Sequence, residues 1–492
     1  MTRDQCKPAA GRCTLAAAGV IVSFMLLSGC QTASPLDEPW PPTVSVAAPR
    51  AYKPVAVTAR APSASVAIAG HAVPRAAAEH GHREITLVDA LDIALADNLD
   101  LALARAEQSI AQQRRRVSEA TLYPALEAGV GASRTDGRTQ SRSSGEIEDV
   151  EFNSYDPHVA LVYRVNIPAR IQAIMAERRE VEAAALDTLS TRQRLMLRVG
   201  ELYHSLLVTH IGIQISEQLL ESSRELQRLS DALLRADVGH GADAARARAR
   251  VAGVQQQVVE SKRLYEQASA RLATVLRLDP AVTLDPAEAQ LSVWNVTPPA
   301  EDFDPVEATR NRPEVQAAAK RTAASQRRVE AARWSLLAPE IVARVEEAAI
   351  GAHADDLDDL LHYGAFIGWT LSLEKAAAVD QARAETLASR LRAARLRDVA
   401  VGEVRQAMLD IDAAVEQIPL AEQELSAAQE AMRLHTARFK AGTSVALEII
   451  ETQDLVSRAQ LNVARAIEAY NLAQLHLLAA AGVLDRNHLV AE

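Results

Sequence analysis

Apolar residues recur at helical spacing along most of this chain, interrupted in two places by runs in which apolar and polar residues alternate. From Thr86, the residues Leu87, Ala90, Leu91, Ala94 and Leu95 share one face, which predicts a helix. Asn98 breaks it, and a second helix is predicted over 99–123. Pro124 ends that helix, because the residue before a proline is biased away from helical angles. Alternation follows: Leu126, Ala128, Val130 and Ala132 point one way, and Glu127, Gly129, Gly131 and Ser133 the other. The polar stretch 134–157 reads as a loop. A second alternating segment then sets Val159, Leu161, Tyr163, Val165 and Ile167 against His158, Arg164 and Asn166. Two long helical stretches come next, 169–237 and 243–277, separated by the turn Val238, Gly239, His240, Gly241.

The second half repeats this plan. A helix over 313–337 stops at Pro339, and Ile341, Ala343 and Val345 oppose Arg344 and Glu346. A loop carrying Asp355, Asp356, Asp358 and Asp359 leads to a fourth strand, with Ala365, Ile367, Trp369, Leu371 and Leu373 on one side. Helical sequence then runs from about residue 375 to the turn Ala441, Gly442, Thr443, Ser444, and from there to about residue 481. Gly442 is placed to end the first arm in a left-handed conformation, Thr443 and Ser444 to cap the second. Three markers recur in order: Gly239 and Gly442 lie 203 residues apart, Gln113 and Gln326 213, and Pro124 and Pro339 215. The spacing indicates an internal duplication of about 210 residues, too long a period for a solenoid.

These elements exclude an ordinary globular domain. A helix of about 65 to 70 residues extends roughly 100 Å, and Pro419 is expected to kink one without ending it. Strands of about 9 to 11 residues are long enough to cross a bilayer when tilted. Four strands cannot close a barrel, and lipid does not tolerate an open sheet edge. Membrane-spanning strands would therefore have to be pooled, and three chains supply twelve; the other arrangement is a soluble four-stranded sheet over the helices.

The first 29 residues read as a signal peptide: Arg3, Lys7 and Arg12 precede an apolar run that ends in Leu27-Ser28-Gly29-Cys30. The run is short for a spanning helix, and its ending resembles the bacterial lipobox, which implies a lipid on Cys30. Gln31 follows; by the same resemblance this favours the outer membrane over retention at the inner one. The chain has 3 cysteines; Cys6 and Cys13 leave with the signal, so no disulfide pair remains. Residues 30–84, rich in Pro, Ala and Ser, read as a lipidated N-terminus and linker, with His71, His80 and His82 on a solvated tether and not at a metal site. A net charge of −11 without a basic tract argues against nucleic acid. No phosphate-binding glycine loop, zinc-ligand pattern or nucleophile motif is present, so the chain reads as no enzyme, with no cofactor beyond the Cys30 lipid and no metal.

The order helix, helix, strand, loop, strand, long hairpin, repeated over about 85–484, resembles the TolC-type outer-membrane efflux proteins. Its most specific marks are the duplication, the junctions at Pro124 and Pro339, and Phe439-Lys440-Ala441-Gly442-Thr443-Ser444. The resemblance implies efflux repeats over 85–300 and 301–492, and a mainly α fold with a small transmembrane β part. It further implies a homotrimer with an α-barrel tunnel in the periplasm and a 12-stranded β-barrel in the outer membrane, working with a periplasmic adaptor and an inner-membrane transporter as a passive exit duct. In that family two acidic residues after the second turn line the constriction, and the matching positions here are Glu448 and Glu451, where the family pattern has Asp. Asp237 and Asp243 at the first turn are the next candidates. Residues 238–241 and 441–444 are the implied adaptor-docking turns. The strand-to-helix junctions depart from the family: Pro168 is followed by Ala169-Arg170, and the second junction has Glu374-Lys375 without proline. The acidic stretch 353–362 reads as a charged extracellular loop and not as a cation site. A periplasmic coiled-coil lipoprotein acting as a tether or adaptor is the rival reading; a lipoyl-like domain, expected of an adaptor, is not visible.

Overall fold

The computed structural model describes residues 81–140, 143, 145–237, 239–288, 291–294, 304–353 and 355–486. All lie in one compact unit within Ala72–Glu492. The signal peptide, Cys30 and most of the linker fall outside the described residues, as do His71 and His80.

The chain enters as β1 (His82–Ile85), inside the segment that the sequence assigns to the linker. Helices α1 (Leu87–Asp97) and α2 (Leu99–Ala120) follow. Thr86 and Asp89 close a capping box on α1. Asn98 ends α1 and starts α2, its Oδ1 accepting from Asp100 N at 2.8 Å. Strands β2 (Ala125–Gln140) and β3 (Ile147–Val165) lead into α3 (Ile167–Arg235) and α4 (Gly241–Val275). After β4 (Thr283–Pro286) and a single helical turn at Pro305–Ala308 come α5 (Pro313–Leu337), β5 (Glu340–Ile350), β6 (Asp358–Gly368), α6 (Leu373–Lys440) and α7 (Ala446–Ala480).

Further boundaries differ from the sequence reading, and Ile167, read there as the end of the second strand, opens α3. The presumed loop 134–157 is largely strand, since β2 and β3 run on as a long ribbon of 16 and 19 residues. The fourth strand ends at Gly368, and Leu373 opens α6. Asp358 and Asp359 therefore belong to β6 and not to a loop. At the junction without proline, Ser372 caps α6 by accepting from Lys375 N at 3.2 Å. At the other, Asn166 caps α3 and also donates to Trp334 O and Ala338 O at 3.1 and 3.0 Å. One side chain thus ties the first strand-to-helix junction to the helix-to-strand junction of the second repeat. Pro419 lies within α6 without ending it.

The duplication is closest in the hairpins. Helices α4 and α7 are each 35 residues long and start 205 residues apart, at Gly241 and Ala446. The pairs Arg228–Glu225 and Arg433–Glu430 recur at the same offset, 205 residues. So do the left-handed residues that end each long arm, Asp237 (φ 58°) and Gly442 (φ 70°). Asp237, not Gly239, is therefore the counterpart of Gly442. Gly239 is needed for another reason: a Cβ there would lie 2.9 Å from the backbone N of Leu234.

The main core gathers α1, β1, β4 and the middle of α3 with α4 and the end of α7: Leu91, Met196, Val199, Leu206, Leu272, Leu284 and Leu475 are all buried. Strand β1 pairs in parallel with β4, His82 against Thr283, and His82 Nδ1 lies 2.8 Å from Asp285 Oδ2, so His82 is part of a sheet and not of a tether. Tyr265 anchors β4, its hydroxyl donating to Leu284 O at 2.8 Å. Elsewhere the long helices pack through alanine, with Ala244, Ala247, Ala446 and Ala459 all at 0 % exposure. Small side chains let backbones approach closely, as in coiled coils.

His204, on α3, is buried edge-on against Trp294 at 4.7 Å between ring centroids, and among the described residues no hydrogen-bond partner reaches either ring nitrogen. Burial pulls its pKa down to about 4 from an ordinary 6.5. The unfolded chain therefore takes up a proton below 6.5 that the folded chain refuses until about 4, and stability present above that window is lost as pH falls through it. The linked loss is on the order of 3 kcal/mol. The melting temperature of the detergent-solubilised protein should fall between pH 6.5 and 4, and His204→Phe should flatten that stretch of the curve.

Candidate functional site

Two regions carry the structural features that matter for function: the sheet and the hairpin turns. The sheet has the order β2-β3-β5-β6, antiparallel throughout. Its register aligns the apolar stripes. Leu126 faces Leu161, Leu161 faces Val345, and Val345 faces Tyr363 across three successive pairings. Ala128 with Val159, and Ile341 with Val165 and Ile367, extend the same face. These side chains are open on the single chain; Val130 is 83 % exposed and Tyr363 73 %. The opposite face carries Glu127, His158, Arg164, Arg344, Glu346 and His362, with Arg344 Nε 2.7 Å from Glu346 Oε2. One apolar face and one charged face, on a sheet whose two edges are unpaired among the described residues, are the pattern of a barrel wall with lipid outside and water inside. Among the described residues no helix is long and apolar enough to cross a membrane.

The turn between α6 and α7 closes as a Schellman motif: Gly442 N donates to Phe439 O and Thr443 N to Arg438 O, both at 3.0 Å. Thr443 and Ser444 do not cap α7, contrary to the sequence expectation; Val445 is its N-cap and offers no side-chain bond. Thr443 Oγ1 instead donates back to Arg438 O at 3.1 Å, and Ser444 Oγ donates to Glu448 Oε2 at 2.5 Å. Ala441, Gly442 and Thr443 are exposed.

Glu448 and Glu451 both lie in the first two turns of α7. His435 Nδ1 is 2.9 Å from Glu448 Oε2, and Arg438 Nη1 is 3.9 Å from the same oxygen. The Ser444 hydroxyl, then His435, with Arg438 adding its charge, hold the Glu448 carboxyl below the ordinary carboxylate range. Glu451 is exposed. His435 and Arg438 were not singled out from sequence, because their role depends on chain reversal at the turn.

At the first turn Gly239 is half-buried, His240 and Gly241 are exposed, and Val238 lies outside the described residues. Asp237 is exposed and ends α3. Asp243 is nearly buried, with Arg246 Nη1 3.5 Å away. The two tips share a small core in which Leu226 and Ala247 meet Phe439, Ala446 and Ile449. Ser223 Oγ donates to Gln453 Oε1 at 3.4 Å, and Arg250 pairs with Asp454. Among the described residues no group of three or more His, Cys, Asp or Glu side chains is placed to hold a metal ion.

The comparisons agree with this architecture. The outer membrane efflux protein family model matches residues 90–276 and 305–483, once for each repeat. The pyoverdine export outer membrane protein OpmQ of Pseudomonas putida is 24% identical over 439 residues, covering 87% of this chain and 90% of that protein. Among solved structures, the outer-membrane channel OprN superposes with a TM-score of 0.72 at 22% identity, over 81% of this chain and 90% of that one. The open state of the MtrE outer membrane channel of Neisseria gonorrhoeae gives a TM-score of 0.69 at 21% identity, over the same shares, 81% and 90%. At these identities the structural likeness is one of fold. The match of the family model to both repeats, over most of the chain, makes this protein a member of the outer membrane efflux protein family.

Proposed function

We propose that three copies of this chain form the exit duct of a tripartite efflux system, a passive channel driven by an inner-membrane transporter and joined to it by a periplasmic adaptor. The observation that carries this reading is the four-stranded sheet with one apolar face and two unpaired edges, β2 and β6. Backbone groups on an open edge cannot remain unpaired in lipid. Pairing β6 of one chain with β2 of the next satisfies both edges and closes a 12-stranded barrel from three chains. The long helices that leave the strands then form a tunnel on the periplasmic side. Export of a compound through such a duct is in keeping with a relative named for pyoverdine export; the cargo of this chain is set by its transporter.

The turns at 238–241 and 441–444 form the far end of the tunnel in this reading, where an adaptor docks and the pore narrows. Glu448 and Glu451 supply the acidic constriction. Acidic rings attract cations and disfavour anions, so the resting channel is small in conductance and cation-selective. The double variant Glu448→Gln/Glu451→Gln should shift the reversal potential across a KCl gradient toward zero. In the wild type the selectivity should weaken with salt, because the Debye length drops from about 10 Å at 0.1 M to about 3 Å at 1 M. A double variant with the wild-type reversal potential would move the constriction away from this turn.

Lipid on Cys30 anchors the trimer in the outer membrane in this account. Each buried methylene contributes about 0.8 kcal/mol, so the acyl chains tether strongly. Cys30→Ala should accumulate a precursor larger by the signal peptide, and wild-type protein should incorporate labelled palmitate while the variant does not. Unlabelled wild-type protein would refute the anchor and leave the pore reading intact.

A further inference from the structure

Two polar side chains on the charged face of the sheet lean over glycines. Asp156 and His158 stand two apart on β3, so both project from that face. Across the ladder they meet Gly131 and Gly129 of β2, which bring no side chain. A Cβ added at Gly129 would lie 2.8 Å from Cε1 and 3.0 Å from Nε2 of His158, and one at Gly131 would overlap the Asp156 carboxylate. Both side chains therefore stretch across β2 toward its unpaired edge. Glu127 and Glu346 on the same face are engaged by Arg344, at 3.5 and 2.7 Å. Among the described residues no cation pairs with Asp156.

His158 is held in the form that binds a metal. Its Nδ1 lies 3.2 Å from the backbone oxygen of Asp156, and a carbonyl only accepts, so Nδ1 carries the proton. The lone pair of the neutral ring is then on Nε2, the nitrogen over Gly129. One chain supplies no more than this pair, and among the described residues no group of three ligands is complete within it. The opposite edge strand, β6, carries His362 on the same face. It is exposed, and among the described residues nothing hydrogen-bonds to its ring.

We propose that Asp156 and His158 of one copy and His362 of the next form a divalent transition-metal site at each seam of the barrel. This rests on the pore reading above, in which β6 pairs with β2 of the neighbouring copy. The strand ends set the register. β2 starts at Ala125, directly after Pro124, and β6 ends at Gly368, so the rim is level when these two residues lie opposite one another. All of β6 then runs along β2. Ile367 meets Leu126 and Tyr363 meets Val130, which continues the apolar face across the seam. The same register sets His362 beside Gly131, where the Asp156 carboxylate lies, and Gly364 beside Gly129, below His158. A Cβ at Gly364 would meet nothing within 4 Å in the single chain, so the floor of the site stays open. Two imidazoles and one carboxylate suit Zn²⁺, at ligand distances of about 2.0 to 2.2 Å, and leave a fourth position for water from the pore. The set has no sequence signature, because its third member lies about two hundred residues on and belongs to another copy.

Native mass spectrometry of the full-length protein, released from detergent in a buffer with micromolar free Zn²⁺, tests the site. The wild-type trimer should gain one Zn²⁺ per chain over a chelator-treated sample, and His158→Ala and His362→Ala trimers should lose that gain. Co-expression of the two variant chains shows whether the site is shared. Each mixed trimer has one seam at which an intact His158 faces an intact His362, so it should bind one Zn²⁺ where either variant alone binds none. If alanine prevents assembly, His158→Gln and His362→Gln serve in the same scheme. Full Zn²⁺ retention by both single variants would overturn the site, and mixed trimers without Zn²⁺ would overturn its sharing between copies. A wild-type trimer that gains no Zn²⁺ would overturn the site and leave the pore reading standing, whereas a monomer would overturn both.

Discussion

The unpaired edges of the four-stranded sheet are the constraint on which the rest of the architecture depends. A strand edge in lipid has no water to satisfy its amides and carbonyls, and β2 and β6 each leave one. The register that brings Leu126, Leu161, Val345 and Tyr363 onto one face makes that face suitable for lipid, and unsuitable for water over so wide an area. In the proposed trimer, closure with further copies would remove both problems together. The helices α2, α3, α5 and α6 all abut these strands and would then continue the wall that the strands begin. Asn166 serves this continuity by bridging the junctions of the two repeats.

Duplication then supplies matched parts, and small departures from it distinguish the two tips. The hairpins keep their helix lengths, their terminal left-handed residues and the Glu225–Arg228 and Glu430–Arg433 pairs in common register. The tips differ in detail. Asp237 stands where the second copy has Gly442, and Arg246 where it has Glu451. Two hairpins of closely matched length but different tip charge allow the turns to share a packed core while only the second carries an acid at the position of Glu451.

Much of this fold is legible in the sequence, because long helices and apolar alternation leave strong periodic signals. The helices α3, α4, α6 and α7 and the breaks at Asn98, Pro124 and Pro339 follow from those signals. The outer halves of β2 and β3 do not: at residues 134–140 and 147–154 neither face is buried in a core, so hydrophobicity carries no alternation there. β1 is missed because four residues are too few to show a period and its partner β4 lies about two hundred residues on. At the tip, spacing alone puts Glu448 and Glu451 on one helix face, whereas the contact of Glu448 with His435 depends on a residue of the other arm. His435 lies five residues before the end of α6 and Glu448 two after the start of α7, so a reading that folded the hairpin on paper would have brought them near each other.

Native mass spectrometry of the full-length protein, released from detergent micelles, tests the central claim most directly. Closure of a barrel by pooled strands predicts a dominant species of three chains, about 159 kDa for three unprocessed 53.0 kDa protomers and roughly 9 kDa less once the three signal peptides are removed. A monomer that conducts ions in a bilayer would contradict it, since four strands have no way to close around a pore.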